Sequence, residues 1–397
     1  MYGCVISLVK VHIALTAIIE VDVVERFLII CSFAESLVRF RGHLIDSLLE
    51  RGEVFVIAPD FSKSPDVCAL LEQKGVILCE VRMARTGLNP FQDIYTFFDI
   101  RTVIKSVRPT LVMAYTVKPV VYGLLAARTC NIRNRFALIT GLGYTFQIKR
   151  SLSFRYLLRL IVYKLYALSL KGSKHVFFQN PDDRNLFIQA GILADNVSSS
   201  VVNGSGVDTS QYIQTSPSDA PHFLLVARLL GNKGVREYVA AAEIVKRKFP
   251  DAVFSLAGWI DEGPDSITHC ELNAWIANST IRYLGRLSDV RPAISDCSVY
   301  VLPSYREGTP RTVLEAMAVG RAIITTDAPG CRETVVPDYN GFLVPVKNVE
   351  LLAEAMVEFI LDPGLIHRMG NASRSVAVKK YDVHTVNAHM LDLMGVK

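Results

Sequence analysis

Twice along this chain, short apolar runs alternate with amphipathic helical stretches, and a polar, turn-rich segment separates the two series. That alternation constrains the fold more than any other feature. Strands that are apolar throughout and followed by helices belong to parallel sheets of α/β proteins. In the first series, residues 26–32 (RFLIICS) read as a buried strand, 37–51 as a helix closed by Gly52, and 54–58 as the next strand. Segments 110–115 and 175–179 read as later strands of the same sheet. The pattern restarts with strand 222–227, helix 235–248, strands 252–258 and 298–303, helix 310–319 and strand 322–326. The expected architecture is α/β, with two Rossmann-like doubly wound domains facing a central cleft. Such sheets bind ligands beyond the carboxyl ends of their strands.

Length agrees with two domains, since 397 residues suit units of roughly 150–200. We expect an extension over 1–25, a first domain over 26–203, a linker over 204–221 and a second domain over 222–380. A C-terminal helix in 381–397 is expected to pack back on the first domain. The extension is apolar over 5–19, but Lys10 and His12 interrupt it and no basic region precedes it, so a signal peptide is not expected. No apolar run is long and uncharged enough for a transmembrane helix. The net charge of +5 is too small and diffuse to argue for nucleic acid. Eight cysteines, at 4, 31, 68, 79, 130, 270, 297 and 331, form no CxxC pair, which fits buried thiols rather than a zinc site. No HExxH or HxxxH pattern occurs. The GLG at 141–143 and the GSG at 204–206 are fragments of a dinucleotide fingerprint that neither completes.

Chemistry concentrates at two places in the second series. In 304–320 (SYREGTPRTVLEAMAVG), a loop follows a strand and opens a helix. Thr309 is expected to cap that helix, Pro310 to take its first position and Gly320 to stop it. Gly308 lets the backbone approach a ligand, and free N–H groups at the helix start favour an anion. Glu307 lies in the loop and Glu315 in the helix, so the two carboxylates could address two hydroxyl-bearing parts of one long ligand. In 226–235 (VARLLGNKGV), Arg228 and Lys233 stand between a strand end and a helix start. A fork donor, a point charge and backbone amides together suit a diphosphate. Taken alone, each feature also reads as ordinary solvated charge.

Together, ARLLGNKG, the Glu307–Glu315 pair in REGTPRTVLEAMA, and TTDAPGCRETV resemble glycosyltransferase family 4, retaining enzymes of the GT-B architecture. The resemblance extends to RTGLNP (85–90), YTVKPVVYG (115–123) and ITGLGYTF (139–146). Those segments are similar to bacterial N-acetylhexosaminyltransferases that act on polyprenyl-diphosphate-linked sugars, often with UDP-linked donors. The resemblance implies that Arg228 and Lys233 hold the donor diphosphate, that Glu307 contacts the donor sugar and that Glu315 contacts the ribose. It implies that Gly308, Thr309 and Pro310 line sugar and phosphate. No metal or cofactor is expected beyond the nucleotide-sugar co-substrate, because cations and amides can take up the leaving charge. Relatives often carry a histidine where this chain reads VMAYTVKP, so Lys118 is the polar candidate there, as a catalytic or a structural lysine.

The first domain would then meet the acceptor. Arg39 and Arg41 fall in the expected acceptor loop, opposite an acceptor phosphate. Residues 148–175 hold seven cations and no acid, and Arg155, Arg159 and Lys164 are expected on a helix face turned to an anionic membrane surface. The chain is accordingly expected to act at the inner face of the cytoplasmic membrane, in surface-polysaccharide or glycoprotein-glycan synthesis. Alternatives are a GT-B UDP-sugar epimerase or hydrolase, a transferase using a GDP-sugar, and a non-catalytic partner subunit.

Overall fold

The computed structural model describes residues 24–397 apart from 85, 86, 88, 142–153, 219, 262 and 264. The expected extension therefore lies almost wholly outside the described residues, as do parts of the RTGLNP and ITGLGYTF segments.

Among the described residues, seven parallel strands make the first sheet: β1 (Glu25–Ile30), β2 (Gly52–Ala58), β3 (Ile77–Glu80), β4 (Leu111–Tyr115), β5 (Asn134–Ile139), β6 (His175–Phe178) and β7 (Ser199–Val201). Their order is β3-β2-β1-β4-β5-β6-β7. Six more make the second: β8 (His222–Val226), β9 (Val253–Ala257), β10 (Arg282–Gly285), β11 (Val299–Leu302), β12 (Ala322–Thr326) and β13 (Gly341–Val344), in the order β10-β9-β8-β11-β12-β13. The central strands are buried along their whole length, as LVMAY and AIITT show, because helices cover both faces.

The helices of the first half are α1 (Glu35–Leu49), α2 (Pro65–Gln73), α3 (Pro90–Val107), α4 (Leu124–Thr129), α5 (Phe154–Leu170) and α6 (Pro181–Gln189). Those of the second are α7 (Val235–Lys248), α8 (His269–Ala277), α9 (Arg291–Asp296), α10 (Arg311–Val319), α11 (Val349–Leu361), α12 (Gly364–Val376) and α13 (Val383–Met394). On the first sheet, α3 to α6 share one core with Leu28, Val112 and Ala137. On its other face, α1 and α2 pack with Phe27, Ile29 and Phe136. That second core also takes Met390, Leu391 and Met394 of α13, so the C-terminal helix lies on the first sheet.

The chain crosses between the sheets twice, and the crossings run side by side. Val207 N–H donates to the Tyr381 carbonyl at 2.8 Å, and Val383 N–H donates to the Val207 carbonyl at 3.0 Å. Gly206 sits there at φ +68°, and a Cβ would run into the Val383 backbone, so the pairing needs glycine at that position. In both sheets the strand order reverses beside the first strand, between β1 and β4 and between β8 and β11. These are the switch points where loops diverge and leave a crevice.

Candidate active site

The loops leaving β1, β4, β8 and β11 meet across a cleft of about 770 Å³, a volume suited to a ligand of nucleotide size. From the second sheet, Arg228, Lys233, Glu307, Gly308, Thr309, Pro310 and Glu315 all line it. Residues far apart in sequence are thus brought together by the strand order alone.

The charges of the expected site residues on this wall are paired. Lys233 Nζ donates to Glu307 Oε1 at 2.5 Å, with both side chains largely buried. Arg228 Nη1 donates to Asp261 Oδ2 at 2.5 Å. Glu315, only 6 % exposed, accepts from Arg311 Nε at 2.8 Å. Tyr212 also meets Glu315, and burial first, then that carboxylate, raise the phenol above its ordinary range. Behind the loop, burial pushes the Cys331 thiol up to about 12, which makes it an inert filler.

The expected helix cap differs. Pro310 is the N-cap and α10 begins at Arg311, because the Thr309 hydroxyl is used elsewhere. Thr309 Oγ1 donates to the Gln179 carbonyl, 3.0 Å away at the end of β6. Gly320 closes the helix in the left-handed conformation, as the sequence suggests. Gly308 is required for a steric reason: a Cβ would strike the Thr140 carbonyl and Gln179.

That loop is clamped to the first domain. Asn180 Nδ2 donates to the carbonyls of Glu307 and Gly308, at 3.2 and 3.1 Å. Arg306 pairs with the fully buried Asp183, and Arg332 with Asp182 at 2.9 Å. Burial raises the Asp183 pKa while Arg306 opposes the shift. Sequence reasoning missed this clamp, although Asn180-Pro181-Asp182-Asp183 is a legible helix start, with Asn180 Oδ1 accepting from Asp183 N–H at 2.8 Å. It also missed Trp259 and Arg286, which line the cleft with the guanidinium 4.8 Å from the indole centroid.

On the first-sheet wall, Arg39 and Arg41 both line the cleft. Arg41 is 2 % exposed, lies 5.3 Å from the Tyr115 ring centroid, and has Nε and Nη1 without a hydrogen-bond partner. Burial lowers its pKa to about 10, so it stays cationic at neutral pH. The Arg39 carbonyl accepts from Arg311 across the cleft. Thr116 sits at φ +70°, a strained conformation for a β-branched residue, with Oγ1 donating to Ser32 Oγ at 2.9 Å.

Lys118 is not among the cleft-lining residues; it lies buried with Nζ 2.7 Å from Asp93 Oδ1, while Tyr122 donates to Oδ2 at 3.0 Å. A buried carboxylate needs a cation beside it, and that need fixes the lysine. On the basic helix, Lys164 is exposed and Arg159, partly buried, turns its guanidinium over the Tyr163 ring at 5.4 Å. The Arg155 side chain lies outside the described residues. No described helix is long and apolar enough to cross a membrane. Among the described residues, the group of metal-ligating side chains close enough to share an ion is His43, Asp208 and His384, and none of them lines the cleft.

Residues 208–376 match the family model described as glycosyl transferases group 1. An N,N'-diacetylbacillosaminyl-diphospho-undecaprenol alpha-1,3-N-acetylgalactosaminyltransferase of Campylobacter jejuni is 30 % identical over 373 residues, covering 90 % of this chain and 95 % of the relative. The chain belongs to the group 1 glycosyltransferases. A UDP-Gal:alpha-D-GlcNAc-diphosphoundecaprenol alpha-1,3-galactosyltransferase of Escherichia coli is 22 % identical, over 75 % of this chain and 78 % of that one. Among solved structures, Anabaena HepE in complex with UDP and glucose superposes with a TM-score of 0.76 at 18 % identity, covering 94 % of this chain and 100 % of that one. This glycosyltransferase therefore has the GT-B fold and is of the retaining type. The crevice between its two sheets is the cleft of that fold.

Proposed function

We propose that this glycosyltransferase is a family 4 enzyme that moves an N-acetylhexosamine from a UDP-sugar onto a polyprenyl-diphosphate-linked sugar, at the inner face of the cytoplasmic membrane. The observation that carries the reading is the convergence of Arg228, Lys233, Glu307, Glu315 and the start of α10 on one wall of the cleft. The names of the Campylobacter and Escherichia relatives, both with diphospho-undecaprenol acceptors, support the acceptor class. The two domains divide at the linker 204–221, with 381–397 returning to the first domain.

In this reading the donor diphosphate exchanges into existing ion pairs. Arg228 leaves Asp261 for one phosphate, while Lys233 bridges Glu307 and the other. Glu307 then accepts from sugar hydroxyls and Glu315 from the ribose, with Gly308, Thr309 and Pro310 against sugar and phosphate. As the bond from C1 to the phosphate oxygen breaks, the cations and the α10 amides take up the charge. The acceptor hydroxyl attacks the same face, and its proton passes to the leaving phosphate oxygen. Arg41, with donor atoms to spare, and Arg39 receive the acceptor diphosphate. Lys118 holds Asp93 and the wall behind the cleft rather than touching substrate.

The test is a panel of labelled UDP- and GDP-sugars with a lipid-linked acceptor, run with and without EDTA. Acceptor-dependent transfer from a UDP-N-acetylhexosamine, unaffected by EDTA, is the expected result. Conversion of free donor without acceptor would mark an epimerase or hydrolase, and preference for GDP-sugars would overturn the donor assignment.

A further inference from the structure

On α3, Phe91, Ile94, Tyr95 and Phe98 are 77, 52, 55 and 54 % exposed. Their spacing of i, i+3, i+4, i+7 puts them on one stripe of the helix. A cluster of large apolar side chains facing water marks an interaction site. The stripe occupies only the first turns; beyond it, Thr102, Lys105 and Ser106 are the exposed residues. The same helix layer carries a second apolar outer face on α5, where Leu160, Ile161 and Leu168 are exposed beside Lys164. Helices α3, α4 and α5 share one core on one side of the first sheet.

We propose that the α3 stripe is a membrane-insertion element, which enters the interface of an anionic bilayer while the basic residues of the α3–α5 layer meet the headgroups. Charge selects this occupant. The two acids on these helices are both matched, Asp93 by Lys118 and Asp99 by Arg82 at 2.6 Å, so the exposed Lys105 and Lys164 leave the helices with a net positive charge. A second copy docked face to face would oppose like charges, whereas an anionic surface complements them. Phenylalanine and tyrosine also suit the headgroup level. Position agrees. Helix α3 starts, capped by Asn89, after β3 ends, on the side where the strands' carboxyl ends face the cleft. Insertion of these first turns brings the headgroup level to the cleft mouth, where a lipid-linked acceptor would deliver its diphosphate. That last step rests on the proposed acceptor.

The experiment is co-sedimentation of the full chain with phosphatidylethanolamine vesicles, with and without a third of phosphatidylglycerol. Beside the wild type stands the triple variant Phe91→Gln, Ile94→Gln, Phe98→Gln, with thermal unfolding and transfer to a short water-soluble acceptor as controls. The variant is expected to fold, to keep soluble-acceptor transfer and to lose vesicle affinity by roughly tenfold per side chain. A Phe91→Trp variant should be quenched by brominated lipid. Equal sedimentation of variant and wild type, no wild-type binding, no quenching, or a wild-type dimer that the substitutions dissociate would each overturn the proposal. If lipid-linked sugars prove not to be acceptors while vesicle binding still depends on the stripe, the acceptor reading fails and the insertion element stands.

Discussion

Arg228 and Lys233, on one wall of the cleft, are held in ion pairs with Asp261 and Glu307; Arg41, on the other, is buried with two nitrogens unpartnered. Both walls are switch points of doubly wound sheets, yet on one Arg228 and Lys233 are ion-paired while on the other a buried cation has donor atoms without partners. In the proposed reading, carboxylates on the donor side stand in for phosphates, so donor binding is an exchange with little rearrangement. On the proposed acceptor side, a buried cation gains its partner when an anion arrives.

The sharpest way to break this contrast is Glu307→Gln, which removes the carboxylate that pairs with Lys233 and is proposed to touch the reacting sugar. Transfer is expected to fall by on the order of 10³-fold in kcat while the protein stays folded by circular dichroism. A folded variant with a wild-type rate would remove Glu307 from the chemistry. Next comes Lys118→Met, which leaves Asp93 buried without its cation and should destabilise the fold by about 3 kcal/mol in urea titration. The rate per folded molecule should stay within about twofold, as the chemistry needs no group there. A selective loss of kcat without loss of stability would restore Lys118 to the catalytic set. Arg228→Ala should cost about 10²-fold in kcat/KM for donor and weaken UDP binding in calorimetry. Unchanged UDP affinity would show that the diphosphate lies elsewhere. The smallest effect is expected from Arg41→Ala, roughly tenfold in KM for a diphosphate-linked acceptor and none for donor. A donor effect of the same size would dissolve the distinction between the walls.

The same contrast governs what could be read from the sequence. The wall that carries Arg228 and Glu307 is built from local signals, a strand end, a loop with glycine and a helix start, so 226–235 and 304–320 stand out before folding. Central strands such as β1, β4 and β8 were legible as apolar runs, whereas β5 (NRFALI), which opens on Asn-Arg, was not read as a strand. Edge strands such as β7 (SSV) and β10 (RYLG) were not, being short and half-polar. The clamp between Asp183 and Arg306 joins residues 123 positions apart, and no local pattern carries such a pair. Thr309 misled for a related reason. Its residue type suits a cap, but the Gln179 carbonyl of the other domain claims its hydroxyl. Lys118 stands in a motif, yet its partner Asp93 lies on another helix, so its role became visible only in three dimensions.

In the proposed mechanism, a paired donor wall releases its diphosphate on the face where the acceptor attacks. The anomeric configuration of the product tests that most directly. A UDP-N-acetylhexosamine with an α-linked sugar, a polyprenyl-diphosphate-linked acceptor and the wild-type enzyme are incubated, and the new linkage is read by proton NMR. An α-linkage, formed with UDP release in equal amount, is the expected product. A β-linked product, or UDP released with no new linkage, would contradict the mechanism.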